Sequence, residues 1–192
     1  MNRLLCGELI KAALAPEALV VCSLGSVNRT WRTVGAAQPT YFCSDPMGIS
    51  LSIGLGLALA KPDRPIAMLC GDGDLMMGLS SLATVAGVAP PNLQVVVFNN
   101  AVYETGGAQP LANPAVDFAA IARGAGFVYA ETVGDEAAAR RLIPDLFARD
   151  GLGLLAVKID RDALGYGPPI PESQAEERAL FMARLREVDD AR

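Results

Sequence analysis

The sequence predicts an α/β protein, a three-layer doubly wound sandwich around a mainly parallel six-stranded sheet. Short apolar or β-branched runs alternate with helical stretches along nearly the whole chain, in βαβα order. Several of those runs, QVVVF and PIAMLC among them, are apolar on both faces, as strands covered by helices on each side must be. Size agrees: 192 residues, 52% hydrophobic and 19% charged, suffice for one full core and are too apolar for a disordered chain.

The elements follow in order. Residues 1–17 begin like a secretory leader, but Glu8 and Lys11 interrupt the apolar stretch and leave an amphipathic helix, so the chain is expected to be cytoplasmic. Strands are expected at 19–24, 41–43, 66–70, 93–98, 127–130 and 154–159. Helices are expected at 47–60, 75–88, 115–124 and 135–149, with a charged one at 172–187. The apolar run 49–60 is too short to span a bilayer and carries Ser50, Ser52, Gly54 and Gly56; it reads as a buried helix, with no membrane partner. Residues 165–171, GYGPPIP, read as a strap to the last helix and as the most mobile internal segment. The whole, 1–192, is read as a single domain with an N-terminal helix (1–17) and a C-terminal strap and helix (165–192).

Composition removes several classes of function. Sixteen Lys and Arg against 21 Asp and Glu, with no basic patch interleaved with aromatics, argue against nucleic acid as a partner. The chain has no histidine, which excludes Ser-His-Asp hydrolysis and every other use of an imidazole from this chain. Cys6, Cys22, Cys43 and Cys70 lie in apolar contexts and never as CxxC; they read as reduced core residues.

Ligands of an open parallel sheet bind at the carboxyl ends of its strands, so the loops there carry the functional reading. The segments after the first four strands are Gly25-Ser26-Val27-Asn28-Arg29, Ser44-Asp45-Pro46-Met47-Gly48, Gly71-Asp72-Gly73-Asp74 and Asn99-Asn100-Ala101-Val102-Tyr103. Asp72 and Asn100 each fall just past a strand end. If those strands are neighbours, about 4.8 Å apart, a carboxylate and an amide oxygen come within reach of one cation. Mg²⁺ takes hard oxygen ligands and often only one or two side chains, with phosphates and water completing the shell. Gly71 and Gly73 would let the backbone approach a diphosphate at the start of the next helix. Either motif alone reads as a turn, GDGD with an N-cap aspartate and NN as a tight loop. Turn chemistry, however, does not require the two to stand 25 residues apart.

Gly71-Asp72-Gly73 followed by Asn99-Asn100 resembles the thiamin-diphosphate motif of the 2-oxo-acid decarboxylases and carboligases, in their C-terminal diphosphate-binding (PP) domain. SDPMGISLSIGLGLALA resembles the helix before that motif, VYETGGAQP the loop after it and AVKID the last strand, so the resemblance covers roughly residues 18–185. GDGD with TGGxQ is most similar to sulfopyruvate decarboxylase beta subunits and phosphonopyruvate decarboxylase.

The resemblance implies the thiamin-diphosphate-binding fold, and thiamin diphosphate with Mg²⁺ as cofactors. It implies Mg²⁺ ligands from the Asp72 carboxylate, the Asn100 amide oxygen and the Val102 carbonyl. Gly71 belongs to the same turn, Gly73 and Asp74 would donate amides to the diphosphate, and Gly25 and Ser26 would close over it. Many relatives have Ser or Ala at the position of Asp74; its carboxylate is expected to turn away and cap the helix. Met47 falls where the family supports the bent, V-shaped cofactor, which makes it the catalytic candidate, and the backbone at Asp45 and Met47 would meet the pyrimidine edge. Tyr103 and Thr105 are counted with the cofactor-binding residues. Thr105 or Gln109 would reach diphosphate or substrate, unless this is only a solvated glycine-rich loop. Glu104 is expected to face solvent or a partner. Arg29 and Arg32, flanking Trp31 in the first loop, would attract a substrate carboxylate or form a surface salt bridge.

By the same resemblance the substrate is a 2-oxo acid, decarboxylated or joined to a second carbonyl compound. The activating glutamate belongs to a separate pyrimidine-binding (PYR) domain, for which this chain has no room. An alpha-type PYR subunit is therefore the expected partner, in a heterotetramer, with the chain alone a homodimer and inactive. Two alternatives stay open: a 2-oxo-acid:ferredoxin oxidoreductase beta-like subunit, disfavoured by the absent CxxC pairs, and a non-catalytic PP-like binding protein.

Overall fold

A computed structural model describes residues 1–44, 46–161 and 173–190. Asp45 and the expected strap at 165–171 lie outside the described residues.

In chain order the described elements are α1 (Arg3–Ala13), β1 (Leu19–Cys22), α2 (Ser26–Val34), β2 (Thr40–Phe42), α3 (Ser50–Ala60), β3 (Ile66–Gly71), α4 (Asp72–Met77) and α5 (Ser81–Val88). There follow β4 (Leu93–Asn99), a short hairpin of β5 (Val102–Tyr103) and β6 (Gln109–Pro110), α6 (Phe118–Ala125), β7 (Tyr129–Val133), α7 (Glu136–Phe147), β8 (Gly153–Lys158) and α8 (Gln174–Asp190). Six strands form one sheet in the order β2-β1-β3-β4-β8-β7, every pair parallel. The expected doubly wound, six-stranded α/β sandwich is the fold.

The two-faced strands explain the layers. Leu19 and Val21 of β1, Met68 and Cys70 of β3, and Val95 and Val97 of β4 enter a core that includes α3, α5 and α6. Their alternates Val20 and Cys22, Ala67 and Leu69, Val96 and Phe98 enter a second core with α1, α2 and α7. All four cysteines are buried and unbridged, in keeping with the reading as reduced core thiols. Burial pushes Cys6 up to about 12, which keeps it a neutral thiol. Among the described residues no helix is long and apolar enough to cross a membrane.

Four local expectations are corrected. The segment after β1 is helix α2 from Ser26, with Gly25 at φ 78° as its N-cap; Val27, Trp31 and Val34 form the stripe it buries. The expected helix 75–88 is two, α4 and α5, because Gly78 ends α4 in close contact with the backbone of Gly48. Gly48, at φ 96°, also delays α3 to Ser50 rather than Met47. The strand expected at 127–130 is β7 at Tyr129–Val133: Gly126, at φ 115°, closes α6, and Phe127 is spent in the core.

From β1 the chain turns outward to β2, then crosses back to place β3 on β1's other side. This reversal opens a crevice at the carboxyl ends of β1 and β3, and the register of β3 on β4 sets Gly71 opposite Phe98. Asp72 and Asn100 therefore emerge side by side.

Candidate active site at the carboxyl edge

Asp72 is the first residue of α4, and its side chain is only 3% exposed. Oδ1 accepts the Gly73 amide at 2.7 Å, and Oδ2 accepts the Ala101 amide at 2.6 Å. The second contact exists because Ala101 takes a left-handed φ of 61°, unusual for a residue with a Cβ and of the kind that collects at functional loops. Burial nevertheless pushes the Asp72 carboxyl up to about 6, with the backbone hydrogen bonds only partly opposing it. Among the described residues no cationic side chain is bonded to this carboxylate.

Asn100 is buried beside it. Its Oδ1 accepts the Val102 amide at 3.0 Å, and its Nδ2 donates to Glu104 Oε2 at 2.9 Å. Each of the three oxygens, two on Asp72 and one on Asn100, accepts a backbone amide, and an oxygen of either kind carries two lone pairs. A buried carboxylate lacking a counter-charge, next to a fixed amide oxygen, is a hard donor set that fits Mg²⁺. No cluster of three His, Cys, Asp or Glu side chains exists among the described residues, so a cation held here would take mixed donors.

The expected residues Gly25, Ser26, Met47, Gly71, Asp72, Gly73, Asp74, Asn100, Val102, Tyr103 and Thr105 all line one cavity of about 560 Å³, with Glu104 and Gln109. Gly73 lies beneath two of them: a Cβ there would meet the Tyr103 ring at 2.7 Å and Met47 Cε at 3.4 Å. Gly25 faces Thr105 at 3.5 Å by the same measure, so the start of α2 and the β5–β6 hairpin form opposing walls.

Three roles differ from expectation, and Arg32 takes the second of its two expected roles. The Gly73 amide, expected to be free for a diphosphate, is taken by Asp72. The Asp74 amide is in the first turn of α4, where backbone amides have no partner within the helix. The Asp74 side chain turns away, but instead of capping its own helix it accepts the Gly48 amide at 2.7 Å and the Ser50 hydroxyl, fastening the turn that carries Met47. Glu104 does not face solvent alone: Arg3 Nη1 binds both its oxygens, at 2.8 and 2.7 Å. Arg29 and Arg32 sit on α2, not on a loop, and neither lines the cavity. Arg32 pairs with Glu177, donates to Asn28 at 2.8 Å and covers the Phe42 ring at 3.7 Å, which is the salt-bridge alternative. Arg3 and Ser50 were missed; nothing local in their segments marks partners so far along the chain.

Residues 23–157 match the family described as "Thiamine pyrophosphate enzyme, C-terminal TPP binding domain". The chain is 34% identical over 79% of its length to a phosphonopyruvate decarboxylase of Streptomyces hygroscopicus, covering 38% of that protein. It is 37% identical over 62% of its length to a sulfopyruvate decarboxylase subunit beta of Methanothermobacter thermautotrophicus, covering 64% of it. Among solved structures, a benzoylformate decarboxylase from Polynucleobacter necessarius superposes with a TM-score of 0.69 at 20% identity, over 84% of this chain and 33% of that one. The chain thus spans about two fifths of the phosphonopyruvate decarboxylase and just under two thirds of the sulfopyruvate decarboxylase subunit.

Proposed function

The chain belongs to the thiamine pyrophosphate enzymes, as their C-terminal TPP binding domain, and from that premise we propose that it is the diphosphate- and Mg²⁺-binding subunit of a 2-oxo-acid decarboxylase or carboligase. It resembles sulfopyruvate and phosphonopyruvate decarboxylases. The observation that carries the reading is the buried Asp72 carboxylate, without a bonded cation, beside the Asn100 amide oxygen.

In this reading Asp72, Asn100 and the Val102 carbonyl hold Mg²⁺. The Asp74 amide, the Gly71 turn, Gly25, Ser26 and Thr105 surround the diphosphate, and Tyr103 closes over Gly73. Bound thiamin diphosphate supplies the electron sink for releasing carbon dioxide from a 2-oxo acid. Met47, held by the Asp74 tie to its own turn, supports the cofactor's rings from below. Asp45 is proposed to meet the pyrimidine edge through its backbone. The apolar walls keep water from the reacting carbon.

We read residues 1–192 as a single PP domain, and the chain is proposed to be a cytoplasmic subunit completed by an alpha-type PYR-domain partner in a heterotetramer, and a homodimer when alone. Several relatives are named as beta subunits, which supports a two-chain enzyme. Met77, a large apolar side chain exposed in the cavity lining, suits a docking face, as does the exposed Ile49 next to Gly48.

The test is a panel of 2-oxo acids, sulfopyruvate and phosphonopyruvate included, given to the purified chain with Mg²⁺ and thiamin diphosphate, with and without a PYR-domain subunit. Turnover is expected only with both chains. Turnover by this chain alone would overturn the half-enzyme reading, and the absence of both turnover and cofactor binding with the partner would overturn the catalytic one.

A further inference from the structure

A line of contacts runs from the N-terminal helix into the loop after β4. Arg3 on α1 grips both oxygens of Glu104, and Glu104 Oε2 accepts the Asn100 side-chain amide at 2.9 Å. A carboxylate can only accept, so the Asn100 atom facing Glu104 has to be Nδ2. Oδ1 is then on the other side, where the Val102 amide reaches it at 3.0 Å. Both ends of the Asn100 amide are thereby fixed, and its oxygen, the only atom of the group able to ligate a cation, does not exchange places with the nitrogen.

The pair is also matched electrostatically. The Arg3 side chain is 1% exposed, and a guanidinium at that depth needs a counter-charge, which Glu104 provides. In return Arg3 cancels the charge of Glu104, which lines the cavity and would otherwise oppose an anionic ligand. Arg3 lies outside residues 23–157, the stretch that the family model matches.

We infer that Arg3 and Glu104 are positioning residues for the candidate cation site. Glu104 orients Asn100, and Arg3 both anchors Glu104 and hides its charge from a diphosphate. The inference rests on the reading of Asp72 and Asn100 as cation ligands.

The full chain is titrated with Mn²⁺ in the presence of inorganic diphosphate, free Mn²⁺ being followed by electron paramagnetic resonance; these probes need only this chain's half of the site. Asp72→Ala serves as the control and is expected to abolish binding. Glu104→Ala is expected to weaken it roughly tenfold to a hundredfold, as loss of a group that orients a metal ligand does. Glu104→Gln keeps an acceptor for Asn100 and is expected to hold close to wild-type affinity while lowering the thermal midpoint, because Arg3 loses its counter-charge. Asn100→Ala combined with Glu104→Ala is expected to bind no more weakly than Asn100→Ala alone, since Glu104 acts through Asn100. Equal affinity of Glu104→Ala and wild type, while Asp72→Ala fails to bind, would overturn the inference and leave the site intact. So would equal losses in the Ala and Gln variants, the signature of a role in docking α1 alone. Wild-type affinity in Asp72→Ala would overturn the site assignment itself, and this inference with it.

Discussion

The two ends of the parallel sheet both bury polar side chains, and they treat them in opposite ways. At the amino end, Asn92 precedes β4 and shares its side-chain N–H groups among the carbonyls of Ala58, Lys61 and Arg64, at 3.2, 3.0 and 2.9 Å. Arg64 donates to the Glu17 carbonyl at 2.7 Å and pairs with Asp189 at 2.8 Å, and Lys61 meets the same carboxylate at 2.6 Å. Apart from Arg64 Nη2 and Gln94 Oε1, these donors and acceptors are matched, and both cations meet an anion within the chain. At the carboxyl end Asp72 has amide partners for its oxygens but no bonded cation for its charge, and its pKa rises. One end is polar because the fold needs stitching. The other keeps an electrostatic imbalance that a ligand can relieve, which is how a site differs from a joint.

The sharpest way to break this contrast is Asp72→Ala. It should remove Mg²⁺-dependent thiamin diphosphate binding, by at least about a hundredfold or about 2.7 kcal/mol, as measured by calorimetry on the assembled enzyme. Comparable affinity in the variant would make Asp72 another joint.

A pH series in metal-free buffer comes next. The folded pKa of about 6 lies above the roughly 3.9 of an unfolded aspartate, so the folded chain binds that proton more tightly. Its contribution to stability is fully present below about pH 4 and is lost as pH rises through about 6, an effect on the order of 3 kcal/mol at most. Urea unfolding should find wild type losing stability relative to Asp72→Ala across that window, with Mg²⁺ and diphosphate restoring it above. A pH-independent difference would contradict the burial cost.

At the opposite end, Asn92→Ala should cost about 2 kcal/mol of unfolding free energy, because the carbonyls of Ala58, Lys61 and Arg64 lose its side-chain donor. Cofactor affinity of the folded fraction should be unchanged. The smallest effect separates positions within the site: Met47→Ala should retain diphosphate affinity and slow turnover of the assembled enzyme about tenfold, about 1.4 kcal/mol. An unaltered turnover number would return Met47 to ordinary packing.

Much of the sheet was legible because its strands are apolar on both faces, a pattern that little else produces in runs of this length. The GDGD and NN motifs were legible because two turns at that separation have no local reason to occur together. α2 escaped the reading although Val27, Trp31 and Val34 carry a helical stripe: the polar residues between them look like a loop once the preceding strand is extended too far. The break at Gly78 was hidden because its cause is the Gly48 backbone, thirty residues earlier. Asp74 was read by local capping chemistry, yet its partners lie in the turn before α3. The Arg3–Glu104 pair joins residues 101 positions apart, and no local pattern specifies which distant charge a buried arginine will meet.

The contact between Gly48 and Gly78 bears on how such a chain can diversify. A Cβ on Gly78 would stand well inside the Gly48 carbonyl oxygen, and one on Gly48 would crowd the Met77 backbone at 2.9 Å. With Asp74 fastening the same turn, the wall beneath Met47 admits almost no single replacement that leaves its shape alone. The facing wall, from Thr105 to Pro110, is exposed at every residue, although Gly107 and Ala108 are held at left-handed φ values of 104° and 59°. Heritable drift in what the cavity accepts therefore has one open direction: Gln109 and Pro110 of the hairpin can be rewritten while the glycine seam behind Met47 holds the geometry constant.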